Sequence, residues 1–319
     1  MIRATRRIAF FTVMAAAALS AQTASKGRVW TAPRTSDGQP DLQGIWSNIT
    51  VTPLERPAEL AGKAFFTPPE AAAYAKQVLE RNNVDRPEAR RPDDPGGYNE
   101  AWFDRGTSTV KSLRTSLIVD PPDGKIPPLT ADGERRAAAF AKERRDHATD
   151  GPEYRTLNER CILWGTAGPP MMPAGYNSNY QILQSPGYVT ILIEMIHEVR
   201  QIPLDGRPHL PPGVREWMGD SRGHWEGNTL VVDTTNFTGK TRFRGASENL
   251  HLTERFTRTD PETILYEFTV DDPAAFTKPW TAAMNMTKAQ GPIYEYACQE
   301  GNYALTDILA GARVSEERK

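Results

Sequence analysis

Two runs of sequence, HWEGNTLVVDT at positions 224–234 and TILYEFTV at positions 263–270, decide the fold class of this chain. In the first run, Gly227-Asn228 separates two β-prone segments, and a two-residue loop of this kind is a strong hairpin signal. In the second, every even position is apolar and most odd positions are polar, which is the pattern of a strand with one buried face. Both runs therefore predict antiparallel β structure.

The whole stretch Asn179–Val270 extends this pattern, and it holds four of the five histidines. Prolines and glycines, 26 and 24 in number, supply many turns. We predict a mainly β protein, an antiparallel meander that forms a barrel or half-barrel. Its predicted strands are 180–184, a single strand 188–202, the hairpins 224–226/229–234 and 250–258/263–270, and the strands 280–287 and 293–298.

Helices are predicted outside this stretch. Thr67-Pro68-Pro69-Glu70 has the cap, the first-turn proline and the acidic third position of a helix start, so a helix is expected from there to about Arg81. A second helix is expected from Thr130 to His147, and a closing one over Asn302–Arg313. The predicted organisation is an N-terminal segment 22–159 with the first strand and two helices, joined to a β core 160–319 in one integrated domain.

The N-terminus predicts export. Basic residues precede an apolar run from Ile8 to Leu19, and Ser20-Ala21 supply small residues for cleavage. This is the pattern of a secretory signal peptide over residues 1–21, which predicts a periplasmic or secreted protein. The apolar run is shorter than the roughly 20 residues of a membrane span, and no integral membrane segment is expected after the signal is removed.

Composition and motifs exclude several classes of function. A net charge of −2 with both signs interspersed offers no basic surface for nucleic acid. No HExxH, P-loop, dinucleotide-binding glycine pattern or Gly-x-Ser-x-Gly is present. We therefore predict no cofactor and no metal, and leave the oligomeric state open. In an exported chain the two cysteines, Cys161 and Cys298, most simply form a disulfide, with buried or reactive thiols as the alternative.

Two ionisable residues interrupt otherwise apolar strand faces. His197 falls among the apolar odd positions of the strand predicted from 188 to 202, and Glu254 falls within the apolar face of 250–258. A buried ionisable group is expensive unless it is paired. These residues either pair with each other, share a functional cavity, or serve the fold alone. We take both as catalytic candidates.

Further candidates lie close by. Three more catalytic candidates are the acidic or basic residues Glu194, His224 and Glu226. Five candidate ligand contacts are a cation, an aromatic ring, a carboxylate and two methionines beside prolines, which either form an exposed ligand-facing rim or fill a gap in the core. They are Arg200, Trp225, Asp233, Met171 and Met172.

Short stretches resemble known groups of proteins. Gly44-x-Trp46 resembles the opening strand of lipocalin-like barrels, in which the tryptophan plugs the closed end of the barrel. The block from Cys161 to Arg313 resembles a group of uncharacterised exported bacterial proteins, through IPLDGRP at 202–208, WEGNTLVVDT at 225–234 and TVDDP at 269–273. This resemblance implies export and no particular chemistry.

The function predicted from sequence is binding of a small organic or glycan-derived ligand in a barrel pocket, and whether the protein also processes this ligand is left open. One alternative is a hydrolase or lyase with histidine and carboxylate acid–base chemistry, including a carboxylate pair that cleaves glycans. The other is a structural envelope protein without a small ligand.

Overall fold

The computed structural model describes residues 30–86 and 99–318, and the described residues after Trp30 form one compact unit. The signal peptide predicted for residues 1–21 lies outside the described residues. The structure is mainly β, as predicted, with ten antiparallel strands. They are β1 Gly44–Ser47, β2 Ile118–Asp120, β3 Asn179–Ser185, β4 Tyr188–Ile193, β5 Val199–Pro203, β6 Asp220–Glu226, β7 Thr229–Thr235, β8 His251–Asp260, β9 Thr263–Asp271 and β10 Trp280–Lys288.

All ten strands belong to one sheet. Its order is β5-β4-β3-β1-β10-β9-β8-β7-β6, and β2 pairs with β10 at the side. The sheet curls into a nearly closed barrel in which the two end strands, β5 and β6, come close together without forming a ladder. The predicted barrel is confirmed, and the place where β5 meets β6 is its seam.

The barrel interior is packed with large side chains. Period-2 alternation sends one face of each strand inward, as in β9, where Ile264, Tyr266, Phe268 and Val270 are all buried. Trp46 on β1 is fully buried, donates its indole N–H to Leu42 O at 2.9 Å, and lies under the guanidinium of Arg258. Aromatic side chains fill much of the space, so the interior is a core and not an open cup.

The prediction of one continuous strand from 188 to 202 is wrong, because this segment forms two strands, β4 and β5. The chain leaves β4 after Ile193, turns through Ile196 and His197 with φ of 63° and 60°, and returns as β5. The five-residue turn reverses the strand and changes which positions face inward. Arg200 is therefore buried in the barrel, although the uninterrupted strand had placed it on the opposite face from Ile193.

One end of the seam is closed by apolar side chains. A Cβ on Gly223 of β6 would lie 2.7 Å from Leu204 Cδ2 and 2.8 Å from Ile202 Cγ2. The missing side chain therefore lets residues of the β5 end lie directly against β6. At the other end of the seam, near Arg200, the two strands leave an opening.

Two helices confirm the prediction. The helix α1, Pro68–Asn82, begins with a capping box between Thr67 and Glu70. The helix α2, Ala131–Asp146, has Thr130 as its cap, whose hydroxyl accepts from Gly133 N at 3.0 Å.

The C-terminal region differs from the prediction. The prediction of a strand at 293–298 is wrong. The chain has no regular secondary structure there after β10. The helix α3, Tyr303–Glu317, has no buried residue, so it lies on the body without closing a core. The predicted disulfide between Cys161 and Cys298 is confirmed and attaches this region to the body. No helix among the described residues has the length and apolar character needed to cross a membrane.

Candidate functional site

A buried ion pair lies in the barrel beside the open end of the seam. Arg200 of β5 donates to both carboxylate oxygens of Glu254 on β8, from Nη1 at 3.0 Å and from Nη2 at 2.5 Å. Both side chains are almost completely buried. The negative charge of Glu254 keeps Arg200 charged against the cost of desolvation, so the pKa of Arg200 is raised.

Hydroxyl groups complete this network. Tyr266 donates to Glu254 Oε1 at 2.7 Å and accepts from Met171 N at 2.9 Å. Burial raises the pKa of Tyr266, so its phenol stays a proton donor. Arg200 Nη2 also donates to Ser221 Oγ on β6 at 3.3 Å. The network therefore links β5, β6, β8 and β9 through side chains.

A cleft opens to solvent above this pair. It has a volume of about 540 Å³ and is lined by residues 198–201, which include the start of β5, and by residues 215–221, which lead into β6. We call it the seam cleft. Arg200 and Ser221 contribute its polar floor, Trp217 and Met218 line its side, and Glu198 and Asp220 bring carboxylates.

Two polar groups of the seam cleft, Arg200 Nε and the Glu198 carboxyl, have incomplete hydrogen bonding or solvation within the described structure. Arg200 Nε is buried and has no hydrogen-bond acceptor in the described part of the chain. Four other arginines among the described residues also have a buried Nε without an acceptor, so this donor supports a ligand only together with the cleft beside it. Partial burial raises the pKa of Glu198 above that of an ordinary glutamate, against a smaller opposing effect of the Val199 backbone N–H. This carboxyl therefore holds a proton to higher pH than one in water does.

An array of alternating acids and histidines runs from the cleft across the outer face of the sheet. His209 places Nδ1 2.9 Å from Asp220 Oδ2 and Nε2 2.8 Å from Asp233 Oδ1. Asp233 also contacts His251 Nε2 through its second oxygen. We call Asp220, His209, Asp233 and His251 the acid–histidine array.

Hydrogen bonds within the array shift the pKa values of two of its members, His251 and Asp233. Both ring nitrogens of His209 lie within hydrogen-bond distance of carboxylates. The hydrogen bond to Asp233 raises the pKa of His251, against a smaller desolvation effect. Desolvation opposes ionisation of Asp233, but its hydrogen bonds with His251 and His209 outweigh this and lower its pKa. The array thus holds the connection before β6 against the sheet by ion pairs.

The five catalytic candidates from sequence do not meet in one site. Glu254 pairs with Arg200, while His197 is solvent-exposed in the turn between β4 and β5. The expected pairing or shared cavity of His197 and Glu254 is therefore wrong, because the chain reverses direction before residue 197. Glu194 is buried elsewhere, accepting from Asn179 Nδ2 at 2.7 Å and from Tyr294 N at 3.1 Å.

The remaining catalytic candidates lie on the outside of the barrel. His224 Nε2 is 3.2 Å from Glu226 Oε1, and Arg255 donates to Glu226 Oε2 at 2.8 Å. All three side chains are exposed, in an ordinary surface cluster. They are separated by the sheet from the interior network.

The predicted ligand contacts divide between several places. Arg200 lines the seam cleft, and Asp233 belongs to the array on the outer face. Trp225 is half-buried and packs against the core from β6. Met171 and Met172 are buried, so the expectation that they form an exposed rim is wrong. Met172 nevertheless lines a second cleft, described below.

Sequence reasoning missed the residues that tertiary structure brings together around the seam. His209 and Asp220 lie in a proline-rich connection and at the start of β6, and Trp217 lies between them. The cluster of proline, histidine and tryptophan over 208–217 was the available signal, but it does not say which strand the connection crosses. Among the described residues, no group of three or more His, Cys, Asp or Glu could hold a metal ion.

Comparisons of the chain with protein-family models, with curated proteins and with solved structures found no significant match.

Proposed function

We propose that this protein is exported and binds a small organic or glycan-derived ligand in the seam cleft. The observation that carries the proposal is an opening of about 540 Å³ between β5 and β6, directly above a buried arginine whose Nε has no acceptor in the described chain. The volume is typical of small-molecule sites.

The chemistry of the cleft supports a ligand with an oxygen-rich end and a flat or apolar body. A ligand oxygen entering beside Ser221 supplies the acceptor that Arg200 lacks. Trp217 offers an aromatic face, on which a sugar ring or an aromatic group packs well. Because β5 and β6 are the ends of the sheet, their free backbone groups along the cleft add further hydrogen-bonding positions.

The test is a screen of sugars, oligosaccharides and small organic acids against the purified mature protein, followed by calorimetry on each compound that binds. Trp217→Ala should weaken binding at least about tenfold, since it removes the stacking surface. Trp102→Ala is the control for loss of a tryptophan, because Trp102 is exposed and lies outside the cleft, whereas Trp217 is half-buried within it. Binding that is unchanged in Trp217→Ala, or a screen without any binding compound, contradicts the proposal.

A second candidate function, acid–base cleavage of a glycan-derived substrate, is favoured by two of the three carboxylates that line the cleft in the described part of the chain, Glu198 and Asp220, with Glu216 as the third. Glu198, whose pKa is raised by burial, would donate a proton to the leaving group. Asp220, which forms ion pairs with His209 and Arg222, would serve as the charged partner. Loss of turnover with retained binding in Glu198→Gln supports this function. Equal turnover in Glu198→Gln and the wild type removes it.

A further inference from the structure

The second cleft lies between α1 and the loops on either side of it. It has a volume of about 380 Å³ and is lined by residues 49–54, by one face of α1 and by the loop 172–175. Three arginines from separate parts of the chain also line it: Arg81 at the end of α1, Arg105, and Arg244 from the connection between β7 and β8. We call it the arginine cleft.

The three guanidinium groups exceed the negative charge around them. Among the described residues that line the cleft, Asp104 is the one carboxylate. Of the three arginines, only Arg105 has an ion pair with a carboxylate in the described part of the chain, with Glu100 at 3.5 Å. Such an excess in a concave site attracts an anion and has little reason to form without one.

The guanidinium of Arg105 is oriented by an aromatic ring. Its guanidinium lies over the ring of Phe103, 3.9 Å from the centroid, which fixes the plane of the group. Its Nε is buried and lies 3.5 Å from Glu100 Oε1, so this edge of the guanidinium already faces a carboxylate. A planar, preorganised guanidinium binds carboxylate and phosphate oxygens better than a flexible cation does.

Arg244 reaches the cleft from a strained backbone. Arg242 and Arg244 both have left-handed backbones, with φ of 48° and 52°. Arg242 places its guanidinium 4.2 Å from the centroid of the Phe140 ring, whereas Arg244 lines the cleft. Non-glycine residues in this region are disfavoured by about 1–3 kcal/mol and concentrate at ligand clamps.

Part of the remaining lining is apolar, beside the polar residues Thr50, Thr52, Asn82 and Asp104. Val78 of α1, Leu117 and Met172 are buried and line the same cleft, together with the ring of Tyr74. A free inorganic ion would leave this surface uncovered. We propose that the arginine cleft binds a small organic anion, whose carboxylate lies among Arg81, Arg105 and Arg244 and whose hydrocarbon part covers the apolar lining. This site is separate from the seam cleft and does not rest on the function proposed there.

The test uses the fluorescent anion 1-anilinonaphthalene-8-sulfonate and its uncharged relative N-phenyl-1-naphthylamine. Arg81→Ala and Arg244→Ala should each weaken binding of the sulfonate about tenfold, the size of a charge-assisted hydrogen bond at a half-open site. Both should leave binding of the uncharged dye within about twofold. Phenylacetate should displace the sulfonate from the wild type more effectively than inorganic phosphate at equal concentration.

Two control variants make the result specific. Arg135→Ala removes an exposed arginine of α2 outside the cleft and should not change binding of the sulfonate. Trp217→Ala alters the seam cleft and should not change it either. Arg81→Lys and Arg244→Lys keep the charge, and each should lose less affinity for the sulfonate than the alanine variant does. If an alanine variant unfolds, the loss in the lysine variant tests the proposal in its place.

Four outcomes would overturn the proposal. They are a wild type that does not bind the sulfonate, equal affinities in Arg244→Ala and Arg135→Ala, an equal loss for both dyes, and stronger displacement by phosphate than by phenylacetate.

Discussion

Arg200 and Glu254 join the two ends of the curled sheet through the barrel interior, with Arg200 Nη1 3.0 Å from Glu254 Oε1. Arg200 lies on β5, which ends the sheet on one side, and Glu254 lies on β8, the third strand from the other end. The ion pair therefore crosses the seam at the level where the strands leave an opening. It stabilises the barrel and forms the polar floor of the seam cleft at the same time.

Replacing one partner of this pair should lower the free energy of unfolding more, per residue replaced, than replacing both partners together. Arg200→Met or Glu254→Met leaves an unpaired buried charge, and each should lower the free energy of unfolding by about 3–5 kcal/mol. The double variant should lose clearly less than the sum of the two. Urea unfolding of the wild type, the two single variants and the double variant at pH 7 measures the coupling energy between the two side chains. Additivity within about 0.5 kcal/mol would show that the two side chains do not interact.

Gly223 should be intolerant of a side chain because β5 lies against it. Alanine there brings a Cβ within 2.7 Å of Leu204 Cδ2, so the closed end of the seam must widen. We expect Gly223→Ala to lower stability by about 1–3 kcal/mol and Leu204→Ala in the same chain to relieve part of the clash. Gly213→Ala is the control, because no heavy atom lies within 4 Å of its added Cβ. Equal thermal unfolding of the two glycine variants would contradict this packing.

The acid–histidine array should make stability depend on pH. The raised pKa of His251 gives stability that is complete below its unfolded value, about 6.5, and is lost as pH rises through the folded value. The lowered pKa of Asp233 gives stability that is present above its unfolded value, about 3.9, and is lost as pH falls through the folded value. The pair therefore contributes most between about pH 4 and 6.5.

Asp233→Asn is the test of this dependence. The NMR titration of the His251 ring should move to lower pH in the variant, and the extra stability at pH 5 relative to pH 8 should shrink. Both side chains are partly exposed, so solvent screening keeps the effect on stability below about 1 kcal/mol. His197→Gln, which alters an exposed histidine of another turn, should leave the His251 titration in place. An unshifted His251 titration in Asp233→Asn would refute the contact.

Reduction of the disulfide should release the C-terminal region and leave the barrel folded. The two cysteines are 137 residues apart, and an ideal cross-link over such a loop stabilises a cooperative unit by about 5 kcal/mol. The closed loop contains β3 to β10, so the bond restricts the unfolded barrel, whereas α3 lies beyond Cys298 and has no buried residue. We expect reduction to lower the unfolding temperature of the barrel by about 5–15 °C and to leave it folded at 25 °C.

Limited trypsin digestion followed by mass spectrometry measures the release directly. Under reducing conditions, cleavage after Lys288 should become fast, and the β-sheet circular dichroism should persist. The double variant Cys161→Ser/Cys298→Ser should behave in the same way without reductant. Loss of the β-sheet signal on reduction would show that the disulfide holds the barrel itself together.

Local patterns were enough to predict most of the secondary structure. The Gly227-Asn228 hairpin, the alternation in β9 and the capping box at Thr67 each depend on residues that are neighbours in the chain. For that reason the barrel class and helices α1 and α2 followed from sequence alone. The turn at Glu194–Glu198 was missed because its left-handed residues, Ile196 and His197, are not glycines and gave no turn signal.

The candidate sites depend on contacts that no local pattern encodes. One unpredicted turn placed Arg200 on the same face as Ile193, inside the barrel, where Arg200 and not His197 is the partner of Glu254. His209 reached Asp233 only because the connection before β6 folds over the sheet. The strands, two helices and the disulfide could be read from residue types and spacing. The seam, its cleft and the pairing of charges arose when distant strands met, because side-chain electrostatics acts through space and not along the chain.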